Sequence, residues 1–203
     1  MWKRLLTLLL GNTIASFAIT CVIKSGLGCF AITACNMTLA NWFGLTVGVS
    51  GMIVELLMLV YVTYKGEGIG ITSIINATYG SLMIDVFNSF LPSGSFMVIG
   101  LLLLPIGWSL MGRSQLGDTG SNMLMNIIIK QTGKSISLIR GLEECMFMMI
   151  GLLGARNNIT WFTISLSVGL GYLLNVVYKV IGYEPEKVKH NFIIKRKTVE
   201  KIN

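Results

Sequence analysis

Apolar residues run through this chain in long unbroken stretches, separated by short clusters of Gly, Ser, Asn and charged residues. Eight stretches can be marked off, at about 5–23, 29–43, 47–64, 70–91, 95–112, 119–130, 136–155 and 159–181. Runs such as Met52 to Tyr64 and Met97 to Met111 lack the alternation of apolar and polar residues that a membrane β-strand needs. They predict helices. A helix that crosses a bilayer needs about 20 residues, within a range of about 17–25. Six stretches meet that length. The two others, Cys29 to Phe43 and Thr119 to Lys130, are short and rich in Thr, Asn, Ser and Cys.

The two short stretches hold the same place in two halves of the chain. Shifting the sequence by 89 residues superposes Lys24-Ser-Gly-Leu-Gly28 on Arg113-Ser-Gln-Leu-Gly117. The same shift pairs Gly11 with Gly100, Gly44 with Gly133, Glu55 with Glu144, and Gly80 with Gly169. A basic-Ser-x-Leu-Gly signature, a short polar segment, a Gly turn and a mid-helix Glu thus recur in order and without gaps. The expectation is an internal duplication, with repeats at 1–91 and 92–182 and a basic tail at 183–203. The glycines at 28, 44, 70, 117 and 133 read as turn and packing positions, and Gly44/Gly48, Gly66/Gly70, Gly151/Gly154 and Gly169/Gly171 admit close backbone approach.

Composition strengthens the membrane reading. Hydrophobic residues make up 53% of the 203 and charged residues only 12%, about half the charged fraction of a soluble domain. That is too few for a water-facing shell, so the apolar surface is expected to meet lipid. The net charge of +7 is uneven: six of the sixteen basic residues lie between Lys187 and Lys201. The tail has no aromatic interleaving beyond Phe192, so it reads as the positive-inside signal and not as a nucleic-acid site.

Loop charges set the expected orientation. If all eight stretches cross, Lys130, Lys134 and Arg140 fall inside, against Lys24, Lys65, Arg113 and Arg156 outside. If the short stretches are re-entrant, Lys65, Arg113, Lys130, Lys134 and Arg140 fall inside, with only Lys24 and Arg156 outside. The second count obeys the positive-inside rule better. It gives three crossings per half, inverted repeats and two cytoplasmic termini. The N-terminal Met1-Trp-Lys-Arg followed by Leu5 to Ala18 resembles a signal peptide, but it stays apolar through Ile23 and has a counterpart in the second half. It reads as a retained first helix.

Several chemistries are poorly provided for. The single histidine, His190, lies in the tail, which excludes serine–histidine catalysis in the apolar body. Cys21, Cys29, Cys35 and Cys145 show neither CxxC nor metal spacing, so no metal or disulfide framework is expected. Gly133-Lys-Ser135 lacks the upstream glycine of a nucleotide-binding loop. Asp85 and Asp118 lack the flanking motifs of an intramembrane aspartyl protease. The chain is read as a non-enzyme without cofactor.

Ionisable groups within membrane helices cost about 2.5–3.5 kcal/mol each near the centre and ask for a reason. Glu55, Glu144 and Asp85 all fall within apolar stretches. One reading is a polar cavity whose carboxylates take and release protons. The other is a structural tie, for which Arg140, one turn before Glu144, is a ready partner. Glu55 has no basic residue within a turn. On its helical face Gly51 admits a close neighbour, which suits approach by polar groups of a short segment. Those segments offer Thr33 and Asn36 in the first half, with Asp118, Ser121 and Asn122 in the second. Short or broken helices in matching positions of two repeats point to a transporter binding site.

The run Gly66-Glu-Gly-Ile-Gly-Ile-Thr72, followed by Tyr79-Gly-Ser-Leu-Met-Ile-Asp85, resembles the glycine-rich stretch and following Asp of the YczE/YyaS/YitT family. The Leu27-Gly28 and Leu116-Gly-Asp-Thr-Gly120 turns and the Arg140-Gly-Leu-Glu-Glu144 helix resemble that family too. The likeness spans residues 8–182, and departs at Arg156-Asn-Asn-Ile-Thr160, where relatives keep another Gly-x-Gly-Thr. It implies a duplicated, multi-pass protein of the bacterial cytoplasmic membrane and supplies no substrate.

The expectation is therefore an all-α transmembrane bundle that acts as a small transporter or permease, with proton coupling left open. Its partners would be the bilayer and a small solute or ion. The alternative is a non-transporting subunit that captures a substrate or works with partner proteins, and self-assembly is left open.

Overall fold

The computed structural model describes residues 1–94, 96–180 and 182; the basic tail expected at 183–203 lies outside them. The described residues form helices α1 (Trp2–Lys24), α2 (Ala31–Phe43), α3 (Val47–Tyr64), α4 (Ile71–Ile75), α5 (Ser81–Phe90), α6 (Met97–Arg113), α7 (Gly120–Thr132), α8 (Ile136–Gly154) and α9 (Trp161–Val180). A π-helical turn, Asn76–Gly80, joins α4 to α5 into one rod, and a short 3₁₀ turn, Arg156–Asn158, precedes α9. No strand occurs among them. The eight apolar stretches become these rods with shifts of at most a few residues at either end. Trp2–Lys24 and Val47–Tyr64 are long and apolar enough to cross a membrane, and Met97–Arg113 is a shorter apolar helix.

The centre of the fold is the seam between α1 and α6. A Cβ on Gly11 would lie 2.8 Å from Gly107 O and 2.8 Å from Met111 N, and one on Gly100 would lie 2.6 Å from Ala18 O. Backbones therefore touch where side chains would keep helices about 8–10 Å apart. As numbering rises along α1 it falls along α6, so the pair is antiparallel. Leu8, Val22 and Leu104, all fully buried, fill the apolar core beside it.

The α4–α5 rod runs parallel to α1, held by Ser16 Oγ donating to Gly80 O (2.7 Å) and by a Thr13–Tyr79 hydroxyl pair (2.8 Å). Helix α3 returns antiparallel to α5, with Gly48 set against Ser81 and Asp85. The short helices cross over: α2 packs on α8, and α7 packs on α3. Gly151 and Gly154 let α2 close on α8 through Ala34 and Thr38.

The two Leu-Gly turns cross over in the same sense. The turn at Lys24–Gly28 rests on the start of α9, where Thr160 Oγ1 donates to Leu27 O and Thr163 Oγ1 meets Cys29 N at 3.4 Å. The turn at Arg113–Gly117 rests on the start of α4, where Thr72 N donates to Leu116 O at 3.1 Å. A Cβ on Gly70 would lie 2.2 Å from Leu116 O, so this joint admits no side chain. Gly44 and Gly133 both end their helices in the left-handed conformation, φ 65° and 66°, as C-caps. A Cβ on either would meet nothing within 4 Å, which makes them turn residues and not packing residues. Gly169, expected to admit a close neighbour, likewise meets nothing within 4 Å.

Candidate functional site

The N-terminal ends of α2 and α7 start in the interior and not at the surface of the bundle. Gly120, the first residue of α7, lies against the Glu55 side chain midway along α3. Ala31, the first residue of α2, is fully buried and packs beside Met58 and Phe147. Around these helix starts lies a cavity of about 300 Å³. Thr33, Asn36 and Glu55 reach it from the first half of the chain, and Asp118, Ser121, Asn122 and Glu144 from the second. The structure thus gathers residues that are distant in sequence. It adds walls that were not among the expected site residues: Thr72 and Asn76 from the α4–α5 rod, Ser16 from α1, and Arg140 from α8, which the sequence offered only as a partner for Glu144. Phe30, Leu104 and Trp108 supply apolar surface.

Asp85 stands apart from this cavity. Its Oδ1 accepts from Gly48 N at 2.8 Å and its Oδ2 from the Thr46 hydroxyl. Thr46 is the N-cap of α3 and accepts from Val49 N at 3.2 Å. Asp85 therefore closes the N-terminal end of α3, where free backbone N–H groups and the helix dipole favour a carboxylate. Its position in the fold is that of a cap.

The acidic residues of the cavity differ in how they are satisfied. Asp118 precedes α7, and its Oδ1 accepts from Thr119 N and Asn122 Nδ2, both at 2.8 Å. Glu144 accepts from Ser167 Oγ at 3.1 Å and lies 3.6 Å from Arg140 Nε. Arg140 also bonds Glu143 at 3.2 Å, and Ser121 Oγ donates to Glu143 at 2.6 Å. Helices α7, α8 and α9 are thus tied by one polar network. Glu55 has no such network. Its Oε2 is shielded and lies against Gly120, whose backbone N–H faces the Glu55 carboxyl without good hydrogen-bond geometry, and no side chain donates to it. Asn36 Oδ1 and Thr72 Oγ1, on the same cavity, are also without partners. Gly51 has the neighbour expected of it, for a Cβ there would lie 2.9 Å from Asn36 Nδ2.

Two of the additional residues had a signal in the sequence. Asn76 and Ser16 are polar residues within apolar stretches, as Glu55 is, but neutral side chains of that kind are common ties between helices. The π-helical turn that swings Asn76 and Gly80 toward the cavity depends on tertiary packing and leaves no pattern of its own.

Residues 2–97 match the model of a family of unknown function (DUF6198). The match covers just under half of the chain and supports likeness to an uncharacterised family; it does not carry the YczE/YyaS/YitT name. No curated protein matches the chain, and no solved structure matches it.

Proposed function

We propose that this chain is a small multi-pass membrane carrier, built from two inverted repeats, that moves a small solute through the cavity between α2 and α7. The observation that carries the reading is that cavity: about 300 Å³, walled by polar side chains from both halves, and met by the buried starts of two short helices. Short helices ending in the middle of a bundle are how carriers present polar groups to a solute at the bilayer midplane.

The outer surface supports residence in lipid. Leu57, Val60, Val98, Leu102, Met149 and Leu153 are each more than half exposed, and they lie on helices α3, α6 and α8. A water-soluble protein of this size rarely leaves so much apolar surface open.

The direction of the helices supports six crossings. Helices α2 and α7 have 13 residues each, or about 20 Å, against a hydrocarbon core of about 30 Å. If they turn back, α1, α3, α4–α5 and α6 alternate up, down, up and down, and α6 is antiparallel to α1. If α2 crosses, α6 becomes parallel to α1. The antiparallel contact of Gly11 with Gly107, and of Gly100 with Ala18, favours the first. The repeat itself draws support from the crossed-over packing of α2 on α8 and of α7 on α3, and from the matching Leu-Gly turns. Two cytoplasmic termini and a bacterial cytoplasmic membrane complete the reading, in agreement with the loop charges.

Two labelling experiments on a cysteine-free background test it without a known solute. Lys65→Cys in sided vesicles should react with an impermeant thiol reagent from the cytoplasmic face and Arg156→Cys from the other. Lys65→Cys reacting from outside would replace six crossings by eight. Asn36→Cys, in the cavity, should react from both faces, because a carrier opens to each in turn. Labelling from one face only would turn the reading toward a subunit that captures a solute without carrying it.

A further inference from the structure

We propose that the solute taken by this cavity is a small organic ammonium ion, bound through its N–H groups to Glu55, Asn36 and Thr72; this rests on the reading of the cavity as the solute site. Three side chains of the cavity wall each carry a shielded oxygen without a hydrogen bond of good geometry: Glu55 Oε2, Asn36 Oδ1 and Thr72 Oγ1. Thr72 is 2% exposed, so water reaches its hydroxyl poorly. Shielded polar atoms are almost always satisfied, and a group of three left open on a shared cavity marks where a ligand supplies the missing bonds. The Glu55 carboxylate and the Asn36 carbonyl oxygen only accept, and the Thr72 hydroxyl accepts as well as donates, so the three together suit a donor. An ammonium group brings up to three N–H bonds and a positive charge.

The charge of the wall agrees. Glu55, Asp118 and Glu144 line the cavity against Arg140 as the basic residue. Arg140 is already committed to Glu143 and Glu144, and Asp118 is committed to the start of α7. Glu55 is the carboxylate of this wall that no side chain answers, with only the backbone at the start of α7 beside it. An anion is disfavoured here although two helix starts face the cavity. The positive end of α7 is answered by the protein's own Asp118 and Glu55, and the guanidinium is occupied.

The remaining walls select an organic ion over a bare one. Phe30, Leu104 and Trp108 give nothing to a hydrated sodium ion, but they pack against a hydrocarbon body, and the aromatic rings attract a cation. Among the described residues, no three of His, Cys, Asp or Glu are grouped as metal ligands. A volume of about 300 Å³ is at the small end of ligand cavities, which limits the body to a short alkyl or single-ring group.

The test uses the full chain in detergent micelles and a series of chloride salts running from methylammonium through butane-1,4-diammonium to phenethylammonium. Matched alcohols, matched carboxylates and sodium chloride serve as controls, and binding is read by calorimetry. At least one ammonium should bind, while its alcohol, its carboxylate and sodium do not. Glu55→Gln keeps size but loses the charge, and should weaken that binding by about tenfold or more. Thr72→Val keeps shape but loses the acceptor, and should weaken it by about fivefold; it also serves if the Gln variant fails to fold. No binding by any ammonium, equal binding by wild type and both variants, or tighter binding of a carboxylate would each overturn the inference. The cavity-cysteine labelling separates this from carriage. Glu55-dependent binding with one-sided labelling removes carriage and keeps the ammonium site. Two-sided labelling without ammonium binding does the reverse.

Discussion

Glu55 and Glu144 stand at the same distance from the starts of α3 and α8, 89 residues apart, and their surroundings could hardly differ more. Glu144 is held by Arg140 and Ser167, with Glu143 and Ser121 completing the network. Glu55 has the Gly120 backbone beside it and no side-chain donor. The ends of these helices differ as well. The start of α3 is closed by Thr46 and Asp85, whereas Ser135 at the start of α8 makes no side-chain cap bond. The two regions thus differ in their polar chemistry. Glu143 and Glu144 hold helices together, whereas Glu55 borders the cavity with no side-chain partner.

Breaking the network of the second half should give the largest effect. Arg140→Met leaves Glu143 and Glu144, whose side chains are 9% and 15% exposed, without their cation. Removing one partner of a shielded ion pair typically costs about 3–5 kcal/mol, and the partly open Arg140 points to the lower end of that range. Thermal unfolding in mild detergent should show the loss, and Arg140→Met with Glu144→Gln should recover part of it. A silent Arg140→Met would mean that the two glutamates are not held differently. Asp85→Ala comes next. It removes the acceptor for Gly48 N and the Thr46 hydroxyl, at a cost of about 1–2 kcal/mol, the usual worth of a helix cap. Ammonium binding should be unchanged in that variant; a large loss of binding would bring Asp85 back among the site residues.

How far this division was legible depends on what each residue announces alone. Helix bounds were readable because apolar runs end at residues with a mechanical reason to stop them, such as Gly44 and Gly133 in left-handed C-caps. Glu55, Asn36, Thr33, Asp118, Ser121, Asn122 and Glu144 were readable as candidates, since polar groups in or beside apolar stretches are costly unless they face a polar interior, and the structure places all seven on one cavity. Asp85 met the same criterion and has a different place, because capping a helix 37 residues upstream is a tertiary fact with no local spacing. Thr72 was hidden for the opposite reason. It follows a glycine-rich run, where its hydroxyl looks like ordinary turn chemistry, and only the fold makes it part of the cavity wall. Arg140 was visible as a partner for Glu144, but its reach to Ser121 needed the packing of α7 against α8.

The smallest predicted effect sharpens the comparison at the level of the backbone. The two Leu-Gly turns are built alike. In one, Ser25 Oγ donates to Val22 O at 2.7 Å and Leu27 N to Ser25 Oγ at 3.3 Å. In the other, Ser114 Oγ donates to Met111 O at 2.6 Å and Leu116 N to Ser114 Oγ at 3.4 Å. The residue between Ser and Leu is left-handed in both, with φ 67° at Gly26 and φ 58° at Gln115. Gly26 adopts that conformation freely. Gln115 is the one non-glycine with positive φ among the described residues, and the strain of its Cβ is about 1–2 kcal/mol. Gln115→Gly should therefore stabilise the protein, by about 0.5 kcal/mol after the greater freedom of glycine in the unfolded chain is subtracted. Gly26→Ala should destabilise it by about 1 kcal/mol, although a Cβ there meets nothing within 4 Å, because the cost lies in the backbone and not in a clash. Opposite signs in the two thermal unfolding midpoints are the expected result. If Gln115→Gly destabilises instead, the Gln115 side chain holds its turn in a way that Gly26 does not, and the two halves differ in their turns as well as in their carboxylates.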